Sequence, residues 1–359
     1  MITIAATAEA ASEPRIGLSP ETVKKLVQKG CRVLIESGAG LKSRFLDTDY
    51  TAAGATVSAD AGEVRAGADV FLRVGRPSAA DVSGLKNGAV IAAMLEPFGE
   101  RTGLDAIAAA GLTSFAMELM PRITRAQSMD VLSSQSNLAG YKAVVDAAAM
   151  FQRALPMMMT AAGTVPAAKL FVMGVGVAGL QAIATGRRLG AIVTATDVRP
   201  AAKEQVASLG AKFIAVENDE FKQAELVAKH IAGQDIVITT ALIPGRPAPK
   251  LITRAMVESM KPGSVIIDMA VERGGNCELA KPGETVEHNG VRIHGPLNLA
   301  GEVAVNASSL YAKNLLNFLD PLIEKGADAL KINWDDEIIK GTLVTRDGKI
   351  VHPALQLKG

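Results

Sequence analysis

The residues whose types and spacing point most clearly to chemistry are the run Gly174-Val175-Gly176-Val177-Ala178-Gly179. An apolar strand-like run, Leu170–Met173, precedes it, and an apolar helical pattern follows. In such a strand–turn–helix unit, Gly174 permits the tight turn, Gly176 lets the backbone approach a pyrophosphate, and Gly179 lets the helix pack closely on the strand. The free N–H groups at the helix N-terminus then face the phosphates, so the run predicts a dinucleotide site.

An acidic residue follows at the distance that such a site requires. The strand predicted over Ile192–Thr196 ends in Asp197, about 20 residues beyond the glycines. A carboxylate there accepts hydrogen bonds from both hydroxyls of an adenosine ribose and repels a 2′-phosphate. The sequence therefore favours NAD(H) over NADP(H), although Arg199 could pair with such a phosphate. An ordinary glycine-rich turn with a strand-end acid is the alternative.

A second stretch, residues 121–141, crowds polar side chains between two apolar regions. A nicotinamide carboxamide needs both donors and acceptors, and these residue types can supply them: Arg122, Gln127, Asp130 and Ser133. On a helix, Asp130 and Ser133 would share a face. Composition alone explains the stretch equally well as a polar loop whose residues cap one another.

Groups for proton transfer and metal binding are sparse in the sequence. The four histidines are scattered over the second half of the chain: His230, His288, His294 and His352. A hydroxy-acid or amino-acid dehydrogenase needs a general acid or base, most often histidine or lysine, beside the hydride centre. Metal-ligand spacing is absent too, so we predict no metal site. A site that holds a nicotinamide among polar groups but lacks a general acid or base suits direct hydride exchange between two nicotinamides, because that transfer moves no substrate proton.

Strand and helix patterns alternate along the chain and must position these residues. Short strands are predicted at Ile2–Ala5, Arg32–Ile35, Val70–Val74, Val90–Ala93, Thr113–Ala116, Phe213–Val216, Asp235–Thr239 and Val265–Met269. Ser19-Pro20 marks the start of a helix, as N-cap and first helical residue. The alternation predicts an α/β fold of two Rossmann-like domains with mostly parallel sheets, joined by long helices, with a cleft between them.

Long helices at Leu138–Ala154 and 300–320 suggest where the chain passes between the domains. We assign 1–135 and 306–359 to a discontinuous N-terminal α/β domain, and 136–305 to a Rossmann NAD(H)-binding domain. The loop Ala241–Pro249 follows a buried-type strand, where ligands of open α/β sheets bind. A hairpin turn is predicted at Arg346-Asp347-Gly348.

Several other residues have less specific interpretations. Met157-Met158-Met159 is predicted to pack in or fill gaps of an apolar core. Arg15, Arg73 and Arg76 lie near predicted strand ends, and we predict surface or ion-pair roles rather than ligand binding. The two cysteines, Cys31 and Cys277, are predicted to be buried thiols in a reducing compartment.

Length and composition are those of a soluble globular protein. The 359 residues favour two domains, with 48% hydrophobic and 21% charged residues. A net charge of +1 gives no electrostatic reason to expect nucleic acid. The longest uncharged run, Leu170–Gly186, is shorter than the ~20 apolar residues that span a bilayer, and no signal peptide is evident. We expect a cytoplasmic protein without membrane insertion.

Motifs along nearly the whole chain together resemble one family. They are Glu13-Pro14-Arg15 with Leu18-Ser19-Pro20, Arg122–Tyr141, Ala161–Pro166, GVGVAGLQAIAT, Thr196–Arg199 and TTALIPG. The chain is similar to the soluble NAD(H)-binding component of proton-translocating, Re/Si-specific NAD(P) transhydrogenase, which is its alpha subunit in the form split from the membrane portion, in the alanine dehydrogenase-like superfamily. One segment departs from that pattern: Val216–Lys229 is short and lacks the family's mobile Gly-Tyr-containing loop.

The resemblance implies a role for each site residue. Arg122, Gln127, Asp130 and Ser133 would hold the nicotinamide and its ribose, with Gln127 near the acceptor nucleotide and Tyr141 in support. The pyrophosphate would lie on Gly174, Gly176, Val177 and Gly179. The adenosine ribose would meet Asp197, Val198 and Arg199, and Leu242 would line the pocket.

The resemblance also implies the activity and the partners. NADH on this chain would donate hydride directly to NADP+ on a separate NADP(H)-binding domain, and a membrane proton-channel subunit would couple the transfer to proton movement. The component would be a homodimer, peripheral to the inner membrane on the cytoplasmic side, and complete activity would need the partner subunits. Two alternatives stay open: an alanine dehydrogenase-like amino-acid dehydrogenase, and a non-catalytic NAD(H)-sensing module.

Overall fold

The chain folds into two compact units, Met1–Gln135 with Gly301–Gly359, and Ser136–Ala300. The computed structural model describes residues 1–215, 220–243 and 246–356. The predicted second boundary at 305/306 falls inside a helix, Ala304–Leu319, which packs as one piece in the first unit. The boundary therefore precedes this helix, at Gly301. We refer to the two units as unit 1 and unit 2, in that order.

Unit 1 is built on an eight-stranded sheet. Its strands in spatial order are Lys349–Ile350, Leu343–Arg346, Thr113–Ala116, Val90–Ala93, Val70–Leu72, Thr3–Ala6, Arg32–Glu36 and Thr56–Ser58. All neighbours pair in parallel except Leu343–Arg346, which pairs antiparallel with both its neighbours, Lys349–Ile350 and Thr113–Ala116. The predicted strands agree closely with these, and the expected hairpin turn has Asp347 and Gly348 at positive φ.

Helices cover the sheet of unit 1 where the sequence carries start signals. Ser19 caps the first helix through its hydroxyl, which accepts from the Thr22 N–H, and Pro20 is the first helical residue. The unit's helices are Pro20–Gln28, Asp47–Ala52, Ala61–Gly67, Ala79–Gly84, Thr102–Ala109, Ala304–Leu319 and Glu337–Thr342. Their apolar faces cover the alternating strand residues and form its core.

Unit 2 has a seven-stranded sheet whose strands alternate with helices. The strands in spatial order are Lys212–Phe213, Ile192–Thr196, Lys169–Met173, Ile236–Thr239, Val265–Asp268, Val291–His294 and Thr285–His288, of which only the last pair is antiparallel. The helices lying wholly in this unit are Val177–Arg188, Ala202–Ser208, Glu220–Ile231 and Arg254–Glu258. Counted along the chain, the first five strands have the order 3-2-1-4-5 of a doubly wound fold. The predicted α/β class with mostly parallel sheets is thus confirmed.

One long helix begins earlier than predicted. It runs over Val131–Met150 rather than Leu138–Ala154, so much of the polar stretch is helical. Its start is explained by Asp130, whose carboxylate accepts from the Ser133 N–H at 2.9 Å and from the Ser133 hydroxyl. Asp130 is therefore the N-cap, and capping lets polar residues begin a helix ahead of its apolar pattern.

The prediction that Met157-Met158-Met159 packs in a core is wrong. Met158–Thr160 pairs antiparallel with Gly163–Val165 in a separate two-stranded hairpin. The three methionines are 61%, 43% and 80% exposed. Every residue of both strands is exposed, because neither face of the hairpin is covered within unit 2.

Candidate functional site

The run Gly174–Gly179, called the glycine loop below, joins the first strand of unit 2 to helix Val177–Arg188. Gly174 has a φ of +101°, which strongly favours glycine. A Cβ at Gly179 would lie 1.9 Å from the Gly174 carbonyl oxygen, so only glycine fits there. At Gly176 a Cβ would meet no described atom within 4 Å, which leaves open space for a ligand.

The loop lies at the point where the strand order of unit 2 reverses. The strands on either side, Lys169–Met173 and Ile236–Thr239, are adjacent and parallel. Their carboxyl ends carry the glycine loop and Thr240, and the Thr240 hydroxyl donates to the Gly174 carbonyl oxygen at 3.0 Å. Ligands of open α/β sheets bind in this crevice. Leu242, half exposed, follows Thr240 at the same edge, while Pro244 and Gly245 of the predicted loop lie outside the described residues.

Asp197 is held against the glycine loop by hydrogen bonds. Its carboxylate accepts from the Val175 N–H at 2.7 Å and from the Arg199 N–H at 2.9 Å. The Arg199 guanidinium adds two bonds of 2.9 and 3.0 Å and donates to the Val175 carbonyl oxygen. Burial raises the pKa of Asp197, but these bonds outweigh it and hold the pKa below its ordinary value. The carboxylate is therefore ionised at neutral pH.

The other residues predicted around the nucleotide are exposed in unit 2. Val177 is 39% exposed at the start of its helix, and Val198 is 98% exposed. Tyr141 lies on helix Val131–Met150 and is 42% exposed. Close to it, Gly140 packs against the backbone of Ala178, where a Cβ would lie 2.1 Å from the carbonyl oxygen. Helix Val131–Met150 thereby contacts the start of the glycine-loop helix through a residue that must be small.

In unit 1 the polar stretch forms a 3-10 turn over Thr124–Met129, called the polar turn below. Asp130 and Ser133 contact each other at the helix start, but Asp130 lies just before the helix as its N-cap and does not share a helix face with Ser133. Gln127 is exposed on the turn and Arg122 is exposed just before it. Within the part of the chain that the structure describes, neither of these two side chains has a hydrogen-bond partner. Both are therefore available to a ligand.

Sequence reasoning missed the residues that hold the polar turn. Asn314 and Asn317 of helix Ala304–Leu319 both donate to the Ser128 carbonyl oxygen, at 2.8 and 3.0 Å. Arg125 makes a bidentate ion pair with the Asp336 carboxylate, with N–O distances of 2.8 and 3.0 Å. These partners are separated from the turn by 186 to 211 residues of sequence, so no local pattern could have identified them.

The arginines near the strand ends of unit 1 are ion-paired, as one interpretation predicted, but two of them are buried. Arg15 pairs with Glu13 at 2.7 Å, and Arg73 pairs with Glu9 at 2.9 Å and with Asp81 at 3.0 Å. Glu9 and Arg73 follow adjacent parallel strands, Thr3–Ala6 and Val70–Leu72, at the reversal of that sheet's order. The position corresponding to the ligand crevice of unit 2 is thus filled by protein charges.

Three further features bear on the predicted chemistry. Among the described residues, no group of three His, Cys, Asp or Glu side chains is arranged to hold a metal ion. The described part of the chain also contains no helix that combines the length and the apolarity needed to cross a membrane. Cys31 and Cys277 are both free and buried, as predicted.

Comparison with known proteins identifies the family of this chain. Residues 6–139 match the alanine dehydrogenase/PNT N-terminal domain family, and residues 143–353 match its C-terminal domain family. A protein from Rhodospirillum rubrum, named as the first portion of the NAD(P) transhydrogenase alpha subunit, is 54% identical, over 97% of each chain. An alanine dehydrogenase from Halomonas elongata is 30% identical, over 96% of this chain and 92% of its own.

A solved structure agrees with these relatives. The crystal structure of a transhydrogenase from Sinorhizobium meliloti is 62% identical and has a TM-score of 0.93, covering 98% of this chain and 100% of its own. The chain therefore belongs to the alanine dehydrogenase/PNT family and, within it, to the group of NAD(P) transhydrogenase alpha subunits.

Proposed function

We propose that this chain is the NAD(H)-binding component of a proton-translocating NAD(P)+ transhydrogenase, and that it donates hydride from NADH to NADP+ on a partner domain. The observation that carries the proposal is the pairing of Asp197 with the glycine loop at the strand-order reversal of unit 2. The open space at Gly176 suits a pyrophosphate. The ionised Asp197 would accept the two ribose hydroxyls in place of the bonds that it now receives from the Arg199 guanidinium. These residues fit a dinucleotide without a 2′-phosphate.

The residues of the chain would bind and orient the cofactor rather than exchange protons with a substrate. Gly174, Gly176, Val177 and Gly179 would hold the pyrophosphate, while Asp197, Val198 and Arg199 would meet the adenosine ribose. Leu242 would pack against the nucleotide. Bound NADH would supply the hydride, so the protein's contribution is to position it.

The nicotinamide end is assigned to the polar turn and its neighbours. Arg122 and Gln127 have exposed side chains. Arg122 can donate to a carboxamide, and Gln127 can both donate to it and accept from it. Asp130 and Ser133 would contact the nicotinamide ribose, and Tyr141 would support the same end. Gln127 would lie near the NADP(H) that the partner domain brings.

Direct transfer also requires partners. We propose that the chain works with an NADP(H)-binding domain and a membrane proton-channel subunit.

We further propose that it pairs with a second copy of itself through the hairpin Met158–Val165 and its flanking Met157. An isolated two-stranded hairpin is marginally stable in water, and this one exposes apolar side chains on both strands. A second copy would cover them.

The test is NADH oxidation by the purified chain under three conditions: alone, with an NADP+-loaded partner domain, and with pyruvate plus ammonium. We expect oxidation only with the partner domain. Oxidation with pyruvate and ammonium would instead make the chain an amino-acid dehydrogenase. NADH binding without oxidation in any condition would indicate a non-catalytic NAD(H)-sensing module, and both results contradict the proposal.

A further inference from the structure

Gln127 lies on a turn whose backbone is fixed from outside. In the polar turn, Ala126 is buried in the core of unit 1, whereas Gln127 and Ser128 are exposed. On one side, Arg125 is tied to Asp336, which also caps helix Glu337–Thr342. On the other side, the Ser128 carbonyl oxygen accepts two hydrogen bonds. The backbone at Gln127 is therefore held on both sides, by the ion pair of Arg125 and by the hydrogen bonds to Ser128.

The Ser128 anchor comes from one face of helix Ala304–Leu319. Asn314 and Asn317 are one turn apart, so their side chains point the same way. Asn314 donates its amide N–H to the Ser128 carbonyl oxygen at 2.8 Å, and its own carbonyl oxygen accepts from the Ser134 hydroxyl at 2.7 Å. Asn317 donates to the same Ser128 oxygen at 3.0 Å. One buried amide thus joins the turn to the start of helix Val131–Met150.

Helix stability gives no reason for an asparagine at position 314. Asparagine is a poor helix former, and Asn314 is buried on a helix whose buried residues are mostly apolar. A buried amide raises the free energy of the folded chain unless its hydrogen bonds are made. Here both ends of the amide are satisfied, by Ser128 and by Ser134. The asparagine is therefore explained by the two hydrogen bonds that it makes to Ser128 and Ser134.

We infer that Asn314, assisted by Asn317, is a positioning residue that fixes the polar turn and thereby aims Gln127 at the reacting nicotinamide. The inference rests on the proposed function. Hydride transfer depends steeply on placement, and a displacement of about 1 Å can cost about 100-fold in rate. Binding of NADH depends mainly on the glycine loop and Asp197, so loosening the turn should slow transfer more than it weakens binding.

The two bonds of Asn314 can be separated by substitution. Asn314→Asp keeps an oxygen for the Ser134 hydroxyl but loses the N–H that binds Ser128 and places negative charge beside its carbonyl. Asn314→Leu removes both bonds and keeps a side chain of four heavy atoms branched at Cγ, although its two methyl groups take up more volume than the amide. Asn317→Ala removes the longer, exposed bond. Ser309→Ala on the same helix is the matched control, because its hydroxyl bonds the Val305 carbonyl oxygen within that helix.

Three measurements decide the outcome: the single-turnover rate of hydride transfer to the NADP+-loaded partner, the Kd of NADH, and amide hydrogen exchange over 124–130. We expect both Asn314 variants to slow transfer about tenfold with a Kd within about twofold of wild type, and to exchange faster. Asn317→Ala, which disturbs the core less, should have a smaller effect of the same kind. Ser309→Ala should match wild type.

Equal losses of rate and affinity, or a normal rate with raised exchange, would overturn the inference. Unfolding followed by the fluorescence of Trp334, the one tryptophan, checks that each variant is folded. If a folding defect removes the Asn314 variants, the rate-against-affinity comparison for Asn317→Ala decides. A wild-type chain that binds NADH without transferring hydride would contradict the proposed function itself, a result distinct from a failure confined to the variants.

Discussion

The Asp197 carboxylate holds the Val175 N–H and Arg199, and the ribose assignment proposed above gives it a second task. We predict that Asp197→Ala weakens NADH binding by about ten- to a hundredfold, since hydrogen bonds to a charged group are worth about 1.5–3 kcal/mol each. NADH fluorescence titration measures the effect. Glu204→Ala, at an exposed position on the following helix, is the control. Unchanged NADH affinity in Asp197→Ala would refute the ribose assignment.

Glu9 predicts a pH dependence of stability. Burial raises its pKa from 4.5 to about 7, against the opposing effects of Arg73 and the Val74 N–H, and Glu13 adds repulsion. The folded chain therefore binds a proton more tightly than the unfolded chain. Its free energy of unfolding should fall as the pH rises from 4.5 to 7, and the loss should be complete above that range.

The variant Glu9→Gln isolates this effect. Between about pH 5 and about pH 8, the free energy of unfolding of wild type should fall by about 2 kcal/mol relative to the variant. Urea unfolding followed by Trp334 fluorescence reports on unit 1, which contains both residues. Parallel pH profiles for the two proteins would show that Glu9 titrates in its ordinary range.

At the scale of elements, two glycines of the glycine loop should have different roles: Gly179 is needed for folding and Gly176 for binding. Gly179→Ala would place a Cβ 1.9 Å from the Gly174 carbonyl oxygen, so we predict a loss of stability of about 1–3 kcal/mol or more from overpacking. Gly176→Ala meets only open space, so the fold should be kept. Its methyl group would instead occupy the place proposed for the pyrophosphate.

Thermal unfolding and NADH titration of both variants test this pair. Gly179→Ala should lower Tm, whereas Gly176→Ala should leave Tm unchanged and weaken NADH binding at least tenfold. Normal NADH binding by Gly176→Ala would place the pyrophosphate elsewhere. The two sheets also differ in space at the point where their strand order reverses. Unit 2 keeps open space there, whereas unit 1 fills the corresponding position with Arg73 and Glu9.

At the scale of the whole molecule, the exposed methionines predict self-association. Replacing Met157 and Met159 with serine removes apolar surface from the hairpin while leaving its backbone pairing intact. We expect the dimer Kd to rise at least tenfold, because buried apolar side chains near an interface centre carry much of the binding energy. Sedimentation equilibrium measures it. Leu189→Ser, an exposed apolar position elsewhere in unit 2, should change nothing; equal behaviour of both variants would exclude the hairpin as the interface.

Much of the site follows from the sequence alone because its signals are local. The glycine loop, its flanking strand and helix, and Asp197 at the next strand end lie within one strand–helix–strand unit, and local sterics dictate each of them. Ser19-Pro20, the parallel strands and the turn at Asp347-Gly348 follow for the same reason. The spacing of Asp130 and Ser133 indicated their proximity, although they meet through an N-cap and not on one helix face.

Tertiary structure alone decided features that depend on partners distant in the chain. Met157–Met159 has an apolar composition typical of a core, yet its exposure depends on what covers the hairpin. Arg73 is buried because Glu9 and Asp81 arrive from other elements to neutralise it. Asn314 binds Ser128 across 186 residues of sequence, and such a contact leaves no periodicity or local motif in the chain. Local rules determine which elements form, and packing determines which side chains they bring together.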